Sequence, residues 1–309
     1  MKQFLLAVCS TLLLLPMLTA QPVAKKVKPG IHWVKITWYK PLPGSQQPDK
    51  SKVPDIYLHP NQLIEYNKDG DLMSAMDYQR GSDENSGPTL HYYWENKKLK
   101  KEVQENDKYE ALYTVTHSYD ALGFQTKEET KSGPADKFHI TSNEYTEYTW
   151  EAGMLSKETR RDEKGALQSE VTYTYDIKGR KAKEVYYPVG LYAAKTFSYD
   201  NKGNLITESY LDKNGKISSE WVREFNADGK EIKVTLSSYY NGTKQSTETT
   251  VKTYDQHGEC TQQTITRDGA AATTYAWKYT YDEKGSIIQA VHLKNSTVEY
   301  VEVRKITYY

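Results

Sequence analysis

The sequence predicts an all-β protein, folded as an antiparallel array of β-hairpins. The motif Tyr-Asp-x-x-Gly occurs five times in 309 residues, and a turn motif that repeats along a chain is typical of repeat architectures. Between the copies, apolar or aromatic residues alternate with polar ones, which is the pattern of an antiparallel strand with one solvated face. No window has a convincing helical period of 3.6 residues, so we expect little or no helix.

Each copy of the motif has the composition of a hairpin turn. Asp at the second position can accept hydrogen bonds from backbone amides ahead of it and so close the loop. Gly at the fifth position can take the left-handed conformation that completes a type I turn with a G1 bulge. Tyr ends its strand, and we expect its ring to cover the hairpin end while its hydroxyl stays near water. The structural turn residues are Tyr119, Asp120, Gly123, Tyr175, Asp176, Gly179, Tyr199, Asp200, Gly203, Tyr254, Asp255, Gly258, Tyr281, Asp282 and Gly285.

Degenerate copies of the motif extend the array along most of the chain. The first position of the motif falls at residues 66, 93, 119, 149, 175, 199, 225, 254 and 281, in steps of 24 to 30 residues, and is aromatic in every copy except the loose one at Thr149. A plainer turn, such as Asn214-Gly215 or Asn241-Gly242, lies midway in most intervals. Each unit therefore holds two strands, and we predict roughly 18–22 strands in an extended or curled meander.

The N-terminal 20 residues resemble a secretion signal. An almost wholly apolar run from Phe4 to Leu15 is followed by small residues that end at Ala20. The run is short for a membrane span. We expect cleavage after Ala20 and a secreted or periplasmic protein.

The remaining chain divides into two parts. Residues 21–59 are rich in Lys and Pro and contain one strand-like segment, Ile31 to Tyr39. We expect a flexible leader and a capping strand there, because the ends of repeat arrays need an atypical unit. Residues 60–309 form the predicted hairpin repeat domain.

Composition argues against several classes of protein. The 41 Lys and Arg residues balance 41 Asp and Glu residues, so no large field favours nucleic acid or an anionic membrane. The 27 Tyr and 6 Trp residues favour half-buried strands over disorder. Beyond the signal there is one cysteine, Cys260, which allows no internal disulfide. We expect no integral membrane segment after signal cleavage.

The repeat unit resembles the Tyr-Asp repeats of Rhs-type proteins. The unit from Tyr199 to Leu205, followed by a strand and the turn Asp212 to Gly215, carries the resemblance, and Arg180 after Gly179 fits the same family. Long family members wrap such repeats into a hollow β-shell around a toxic C-terminal domain. This sequence shows no such domain after its repeats, so the resemblance implies a short secreted bacterial member.

Few residues are arranged for chemistry. Glu224, Asn226, Asp228 and Gly229 match part of a calcium loop, but the twelfth position is Thr235. We interpret these acids as turn formers. No histidine lies at metal-ligand spacing from another histidine or a cysteine. The histidines are His32, His59, His91, His117, His139, His257 and His292. We expect no catalytic residue, no metal and no cofactor.

Aromatic strand faces are the most usable surface in the sequence. Possible ligand-stacking residues are Tyr275, Trp277, Tyr279 and Trp150. The alternative is that these rings are core residues. We predict a non-enzymatic structural or interaction scaffold whose partner is a protein or polysaccharide of the cell envelope. The alternative function is a glycan- or cell-wall-binding module that uses the aromatic faces.

Overall fold

The computed structural model describes residues 30–50, 61–78, 89–106, 108–134, 136, 143–190 and 192–309. Within these residues all regular structure is β-strand, which confirms the predicted all-β class. The predicted signal peptide, His59 and His139 lie outside them. The part of the chain that is described has no helix with the length and apolar character needed to cross a bilayer.

The described residues form 21 strands, a number within the predicted range. They are β1 (Ile31–Pro41), β2 (Pro48–Asp49), β3 (Asn61–Tyr66), β4 (Leu72–Tyr78), β5 (Thr89–Glu95), β6 (Lys98–Glu105), β7 (Ala111–Tyr119), β8 (Gln125–Ser132), β9 (Glu144–Glu151), β10 (Met154–Asp162), β11 (Leu167–Tyr175), β12 (Lys181–Tyr187), β13 (Ala194–Tyr199), β14 (Leu205–Leu211), β15 (Ile217–Phe225), β16 (Glu231–Tyr240), β17 (Thr243–Tyr254), β18 (Cys260–Arg267), β19 (Thr273–Tyr281), β20 (Ile287–Lys294) and β21 (Thr297–Tyr308).

The sheet closes on itself, which corrects the expectation of an extended or curled meander. Each strand from β3 to β21 pairs antiparallel with the next, and β1 pairs with both β21 and β3. Leaving out the short β2, which pairs only with β1, 20 strands form a closed barrel. The strand-like segment Ile31 to Tyr39 therefore joins the two ends of the array. Closure removes the free edges that an open sheet would expose.

The two-strand repeat places alternate turns at opposite ends of the barrel. The Tyr-Asp turns and their degenerate copies all connect an odd-numbered strand from β3 onward to the next even-numbered strand. They therefore share one end, which we call the Tyr-Asp rim. The plainer turns, such as Asn214-Gly215 and Asn241-Gly242, share the other end, which we call the plain rim.

The two faces of the sheet differ in composition. One face carries Tyr173 on β11 with Tyr275, Trp277 and Tyr279 on β19, and we call it the aromatic face. The opposite face carries residues such as Thr172 and is called the threonine face. In the second half of β9, Tyr148 and Trp150 of the aromatic face are half-buried, whereas the residues between and beside them on the threonine face are exposed. Such a difference is typical of the concave side of a curved sheet, where side chains converge.

A small apolar cluster lies beside the closing strands. Val291 and Val301 are cross-strand partners on β20 and β21, and Leu293 packs with them. Val301 is fully buried and lies opposite Tyr39 of β1. Burial of these aliphatic side chains contributes about 1.5–3 kcal/mol each, so the seam between the ends of the array has its own core.

Candidate functional site

The Tyr-Asp rim is the most regular site in the molecule. In the turn at Asp176, one carboxylate oxygen accepts the amides of Lys178 at 2.8 Å and Arg180 at 2.9 Å. The hydrogen bond from the Arg180 amide, followed by that from its guanidinium group, lowers the pKa of Asp176. Gly179 has φ of 74°, and the register shifts by one residue beside the turn. These features define a type I turn with a G1 bulge.

The motif tyrosines donate hydrogen bonds to the neighbouring hairpin, a role that the turn motif by itself does not predict. Tyr175 Oη donates to the Leu155 carbonyl at 2.7 Å, and Tyr254 Oη to the Glu231 carbonyl at 2.6 Å. Burial raises the pKa of both phenols. The other hydroxyl-to-carbonyl pairs are Tyr119 with Leu99 and Tyr199 with Lys181.

The acceptor position explains why tyrosine is needed there. The carbonyl that accepts the tyrosine hydroxyl usually belongs to the second residue after the glycine of the preceding Tyr-Asp turn. Leu155, two residues after Gly153, is an example. Backbone pairing between β10 and β11 starts only at Lys157, opposite Thr172. Between these points the strands have no ladder hydrogen bonds, and the hydroxyl of Tyr175 bridges the gap. Side chains at the Tyr-Asp rim thus continue the pairing between most neighbouring hairpins, and the exception is the β15–β16 turn, where Phe225 has no hydroxyl to donate.

Two tryptophans take the same role in the degenerate copies. Trp94 Nε1 donates to the Leu72 carbonyl and Trp150 Nε1 to the Gln125 carbonyl, both at 2.7 Å. Sequence reasoning placed the aromatic positions at 93 and 149, one residue too early. Their turns contain consecutive residues at positive φ, Asn96-Lys97 and Ala152-Gly153, and are shorter than the Tyr-Asp turns. The sequence signal for these two donors is a tryptophan directly after the position that the motif assigns to its aromatic residue.

Tyr309 carries the series of rim hydrogen bonds across the seam between the two ends of the array. Its hydroxyl donates to the Tyr66 carbonyl at 2.7 Å, and its amide donates to the Gly30 carbonyl at 2.9 Å. Its ring stacks on His32 at 4.6 Å, with Lys68 Nζ 5.7 Å from the ring centroid. The same kind of hydrogen bond that joins successive hairpins therefore joins the last strand to the first hairpin.

Cations from the preceding hairpin cover several of these rings. The guanidinium carbon of Arg180 lies 4.6 Å from the centroid of Tyr199, and Lys230 Nζ lies 5.3 Å from that of Tyr254. In the turn of Trp150, Phe124 stacks on the indole at 4.9 Å instead. Cation–π contacts of this kind contribute about 0.5–1 kcal/mol at exposed sites. They strengthen contacts between hairpins.

Charged residues on the aromatic face are paired with one another. Lys181 Nζ lies 2.7 Å from Glu184, and Lys195 Nζ bridges Glu184 at 3.9 Å and Glu208 at 4.0 Å. Arg223 continues the row with a contact of 3.0 Å to Glu208. Burial raises the pKa of Glu184, but hydrogen bonds and the Lys181 charge outweigh it, so the net pKa is lowered. This network ties β12 to β15 across the face.

The most buried histidine among the described residues, His117, also has partners. The His117 side chain is 3% exposed, and its Nε2 lies 3.1 Å from Glu102. Gln125 Nε2 lies 3.2 Å from His117 Nδ1. Both ring nitrogens therefore have hydrogen-bonding partners within the sheet, and His117 joins β6, β7 and β8.

The possible ligand-stacking residues occupy two distant parts of the aromatic face. Tyr275, Trp277 and Tyr279 form one strip on β19, whereas Trp150 lies on β9. Trp277 Nε1 donates to His292 Nδ1 at 3.0 Å, and Tyr279 Oη donates to the Cys260 carbonyl at 2.8 Å. The polar atoms of Trp277 and Tyr279 thus bind the protein itself, while the rings of the strip remain half-buried.

The calcium-like residues serve the turn at Asn226. Asn226 Oδ1 accepts the amides of Asp228 at 3.1 Å and Lys230 at 2.9 Å. Glu224 pairs with Lys233 at 2.8 Å on the strands below. Among the described residues, no group of three His, Cys, Asp or Glu side chains is arranged to hold a metal ion.

Cys260 lies just after the turn of Gly258. Its Sγ lies 3.4 Å from the Gln262 carbonyl, to which it donates. Burial raises the pKa of the Cys260 thiol. Because the thiolate is the nucleophilic form of cysteine, a raised pKa makes this thiol less reactive at neutral pH.

Comparison with known proteins gives remote structural similarity alone. No family model and no curated protein matches the chain. The TcdB2-TccC3 structure is 12% identical over 89% of this chain and 16% of its own, with a TM-score of 0.45. The same protein without its hypervariable C-terminal region is 13% identical over 84% of this chain and 16% of its own, with a TM-score of 0.44. A porin-like protein from Bacteroides uniformis is 10% identical over 90% of this chain and 96% of its own, with a TM-score of 0.33. This chain thus covers 16% of the length of those TcdB2-TccC3 chains.

Proposed function

We propose that the protein is a secreted or cell-envelope member of the Rhs-type Tyr-Asp repeat class that acts as a non-enzymatic structural or interaction scaffold. The observation that carries this proposal is the series of hydrogen bonds between hairpins at the Tyr-Asp rim. The repeated polar side chains, which a repeated catalytic or metal site would need, bind the protein's own backbone instead. Tyr175 and Asp176 illustrate this, since both have partners within the adjoining turns.

A structural role is also supported because the stabilising contacts between strands are spread over much of the sheet. Paired charges on the aromatic face, such as Lys195 with Glu184 and Glu208, add further contacts between strands. A closed sheet held at its rim and across its face presents a rigid outer surface. Rigid repeat surfaces are commonly used for binding other macromolecules.

Glycan or cell-wall binding is the second candidate. It is favoured by the strip of Tyr275, Trp277 and Tyr279, whose rings are half-buried and lie side by side on one face of β19. Partly accessible aromatic rings have an apolar face and a polar edge, which suits a sugar ring. The scaffold role ranks first because the polar atoms of Trp277 and Tyr279 are already bound within the sheet.

Binding to treated envelope material separates these candidates. The purified protein is incubated with isolated cell envelopes that are intact, protease-treated or digested with glycan hydrolases. Loss of binding after protease treatment supports a protein partner, and loss after glycan digestion supports the second candidate. Absence of binding to all three preparations contradicts both. Turnover of a cell-wall polysaccharide would contradict the non-enzymatic assignment.

Secretion has its own test. N-terminal sequencing of the protein exported from a bacterial host should begin at Gln21, directly after Ala20. An unprocessed N-terminus in the cytoplasm would contradict the proposed location.

A further inference from the structure

The turn between β6 and β7 on the plain rim holds Tyr109 in a left-handed backbone conformation, with φ of 60°. The Tyr109 amide donates to the Asn106 carbonyl at 3.0 Å. Asn106 Oδ1 accepts the amides of Lys108 and Glu110, both at 2.9 Å. Among the described residues, Tyr109 is the one aromatic side chain at positive φ. Because that conformation brings Cβ close to the following carbonyl oxygen, it is strained for a bulky residue.

A second turn of the same kind has glycine at this position. In the turn after β3, Asn67 Oδ1 accepts the amides of Asp69 and Asp71, both at 2.9 Å. Gly70 takes the place of Tyr109 there, with φ of 84°. The two turns make the same backbone hydrogen bonds, so the geometry of the turn does not require a tyrosine. Folding alone therefore does not explain the backbone strain at Tyr109.

The side chain of Tyr109 extends into solvent. Its exposed fraction is 73%, so the ring adds little to the packing of the barrel. Other apolar side chains, such as Ile177 and Tyr240, are as exposed, but they do not have positive φ. Among the exposed large apolar side chains of the described residues, Tyr109 alone combines exposure with positive φ. Backbone strain of this kind clusters at residues that contact ligands.

We propose that Tyr109 is a preformed anchor that inserts into an apolar pocket of a protein partner. Tyrosine is enriched among the residues that dominate protein interfaces, because its rigid ring gives a large contact area with few rotatable bonds. The hydrogen-bonded turn fixes the backbone before binding, which reduces the entropy lost on association. The inference rests on the proposed scaffold function and deepens it by naming a residue that contacts the partner.

The chemistry of the turn favours a protein partner over lipid or a glycan. Residues 106–110 include two acids, Asp107 and Glu110, and one base, Lys108, so an anionic bilayer would not be attracted to them. Small ligands bind in concave sites, whereas Tyr109 lies at the tip of a turn. An isolated exposed ring suits a pocket on another protein, and the acids beside it favour basic residues around that pocket.

Stability measurements test the strain. Tyr109→Gly should raise the ratio of folded to unfolded protein about fivefold, because glycine adopts the left-handed conformation without steric conflict. Tyr240→Gly is the matched control, since Tyr240 is 71% exposed on the same rim without positive φ. We expect the control to lower that ratio, because glycine makes the unfolded chain more flexible. Urea unfolding measures both. If Tyr109→Gly does not stabilise the protein, the strain is absent and the proposal fails.

Binding to isolated bacterial cell envelopes tests the anchor. Tyr109→Gly should weaken binding to intact envelopes about thirtyfold, the loss expected when a dominant aromatic side chain is removed from an interface. Tyr109→Phe keeps both the ring and the strain and should retain most of the binding. Tyr240→Gly should bind like the unaltered protein. Treating the envelopes with protease should abolish the binding of the unaltered protein.

Three binding results would overturn the anchor. They are full binding by Tyr109→Gly, equal loss of binding in Tyr240→Gly, and binding that survives protease treatment but is lost on glycan digestion. In the first two cases the unaltered protein still binds a protease-sensitive partner, so the scaffold proposal stands. If the unaltered protein binds none of the envelope preparations, the scaffold proposal fails and the anchor fails with it.

Discussion

Removing hydroxyl groups from the Tyr-Asp rim should weaken the barrel by an amount that adds from turn to turn. Tyr175→Phe keeps the ring but deletes the donor that lies 2.7 Å from the Leu155 carbonyl. A hydrogen bond of this kind contributes about 0.5–1.5 kcal/mol net. We therefore expect Tyr175→Phe to lower the free energy of unfolding by about 1 kcal/mol.

Combining changes at three turns makes the prediction sharper. Tyr119, Tyr175 and Tyr254 lie on turns that are separated by at least four strands, or about 19 Å. Changes this far apart are usually additive. The triple Phe variant should therefore lose about 3 kcal/mol. Urea unfolding followed by circular dichroism measures the loss as a shift of the midpoint.

Tyr240→Phe provides the control for the three changes. Tyr240 is 71% exposed on the plain rim, so its hydroxyl should matter by no more than about 0.5 kcal/mol. If the triple variant unfolds at the same urea concentration as this control, the rim hydrogen bonds do not stabilise the fold and the reasoning is refuted.

Three further changes test other parts of the account. Gly203→Ala should lower the free energy of unfolding by on the order of 1 kcal/mol. Gly203 has φ of 93° and no atom lies within 4 Å of an added Cβ, so only backbone strain opposes alanine. An unchanged melting temperature would contradict the turn assignment. The pKa of Asp176 is lowered from 3.8 in the folded protein, so the stability that its carboxylate contributes is present above that pH and is lost as pH falls below it. Asp176→Asn should therefore reduce the loss of folding stability between neutral and acid pH. An unaltered dependence of stability on pH would contradict this. Tyr309→Phe should speed hydrogen exchange of the β1 amides and leave the β15 amides unchanged, because the Tyr309 hydroxyl joins the end of the last strand to the Tyr66 carbonyl. Equal effects on both strands would contradict a local role at the seam.

The strands and turns were readable from sequence because they are local. Alternation along Tyr275 to Tyr281 predicts a strand with one aromatic face, and the Asp and Gly of each motif are determined by hydrogen bonds within five residues. The same reasoning predicted a range of strand numbers that includes the 21 observed. It needed no knowledge of the distant parts of the chain.

Closure of the barrel was not readable, because it depends on residues far apart in the chain. β1 contacts β21 through pairs such as Lys35 with Lys305, and no local pattern specifies that pairing. The role of the tyrosine hydroxyl was missed for a similar reason. Its acceptor on the preceding hairpin, such as Leu155 for Tyr175, lies 20 residues away, beyond the reach of a turn motif.

Cross-linking of the two ends of the array tests closure most directly. Lys35 and Lys305 are Cα partners in the β1–β21 pairing, and paired strands bring Cα atoms to about 4.5–5.5 Å, a distance that a disulfide spans. In a Cys260→Ser background, Lys35→Cys with Lys305→Cys should oxidise to an internal disulfide in the monomer, detected by mass spectrometry of the digest. Lys35→Cys with Lys183→Cys, which places the second cysteine on β12, should not. Failure of the first pair to form the disulfide, with both thiols remaining free, would contradict a closed barrel and restore an open array.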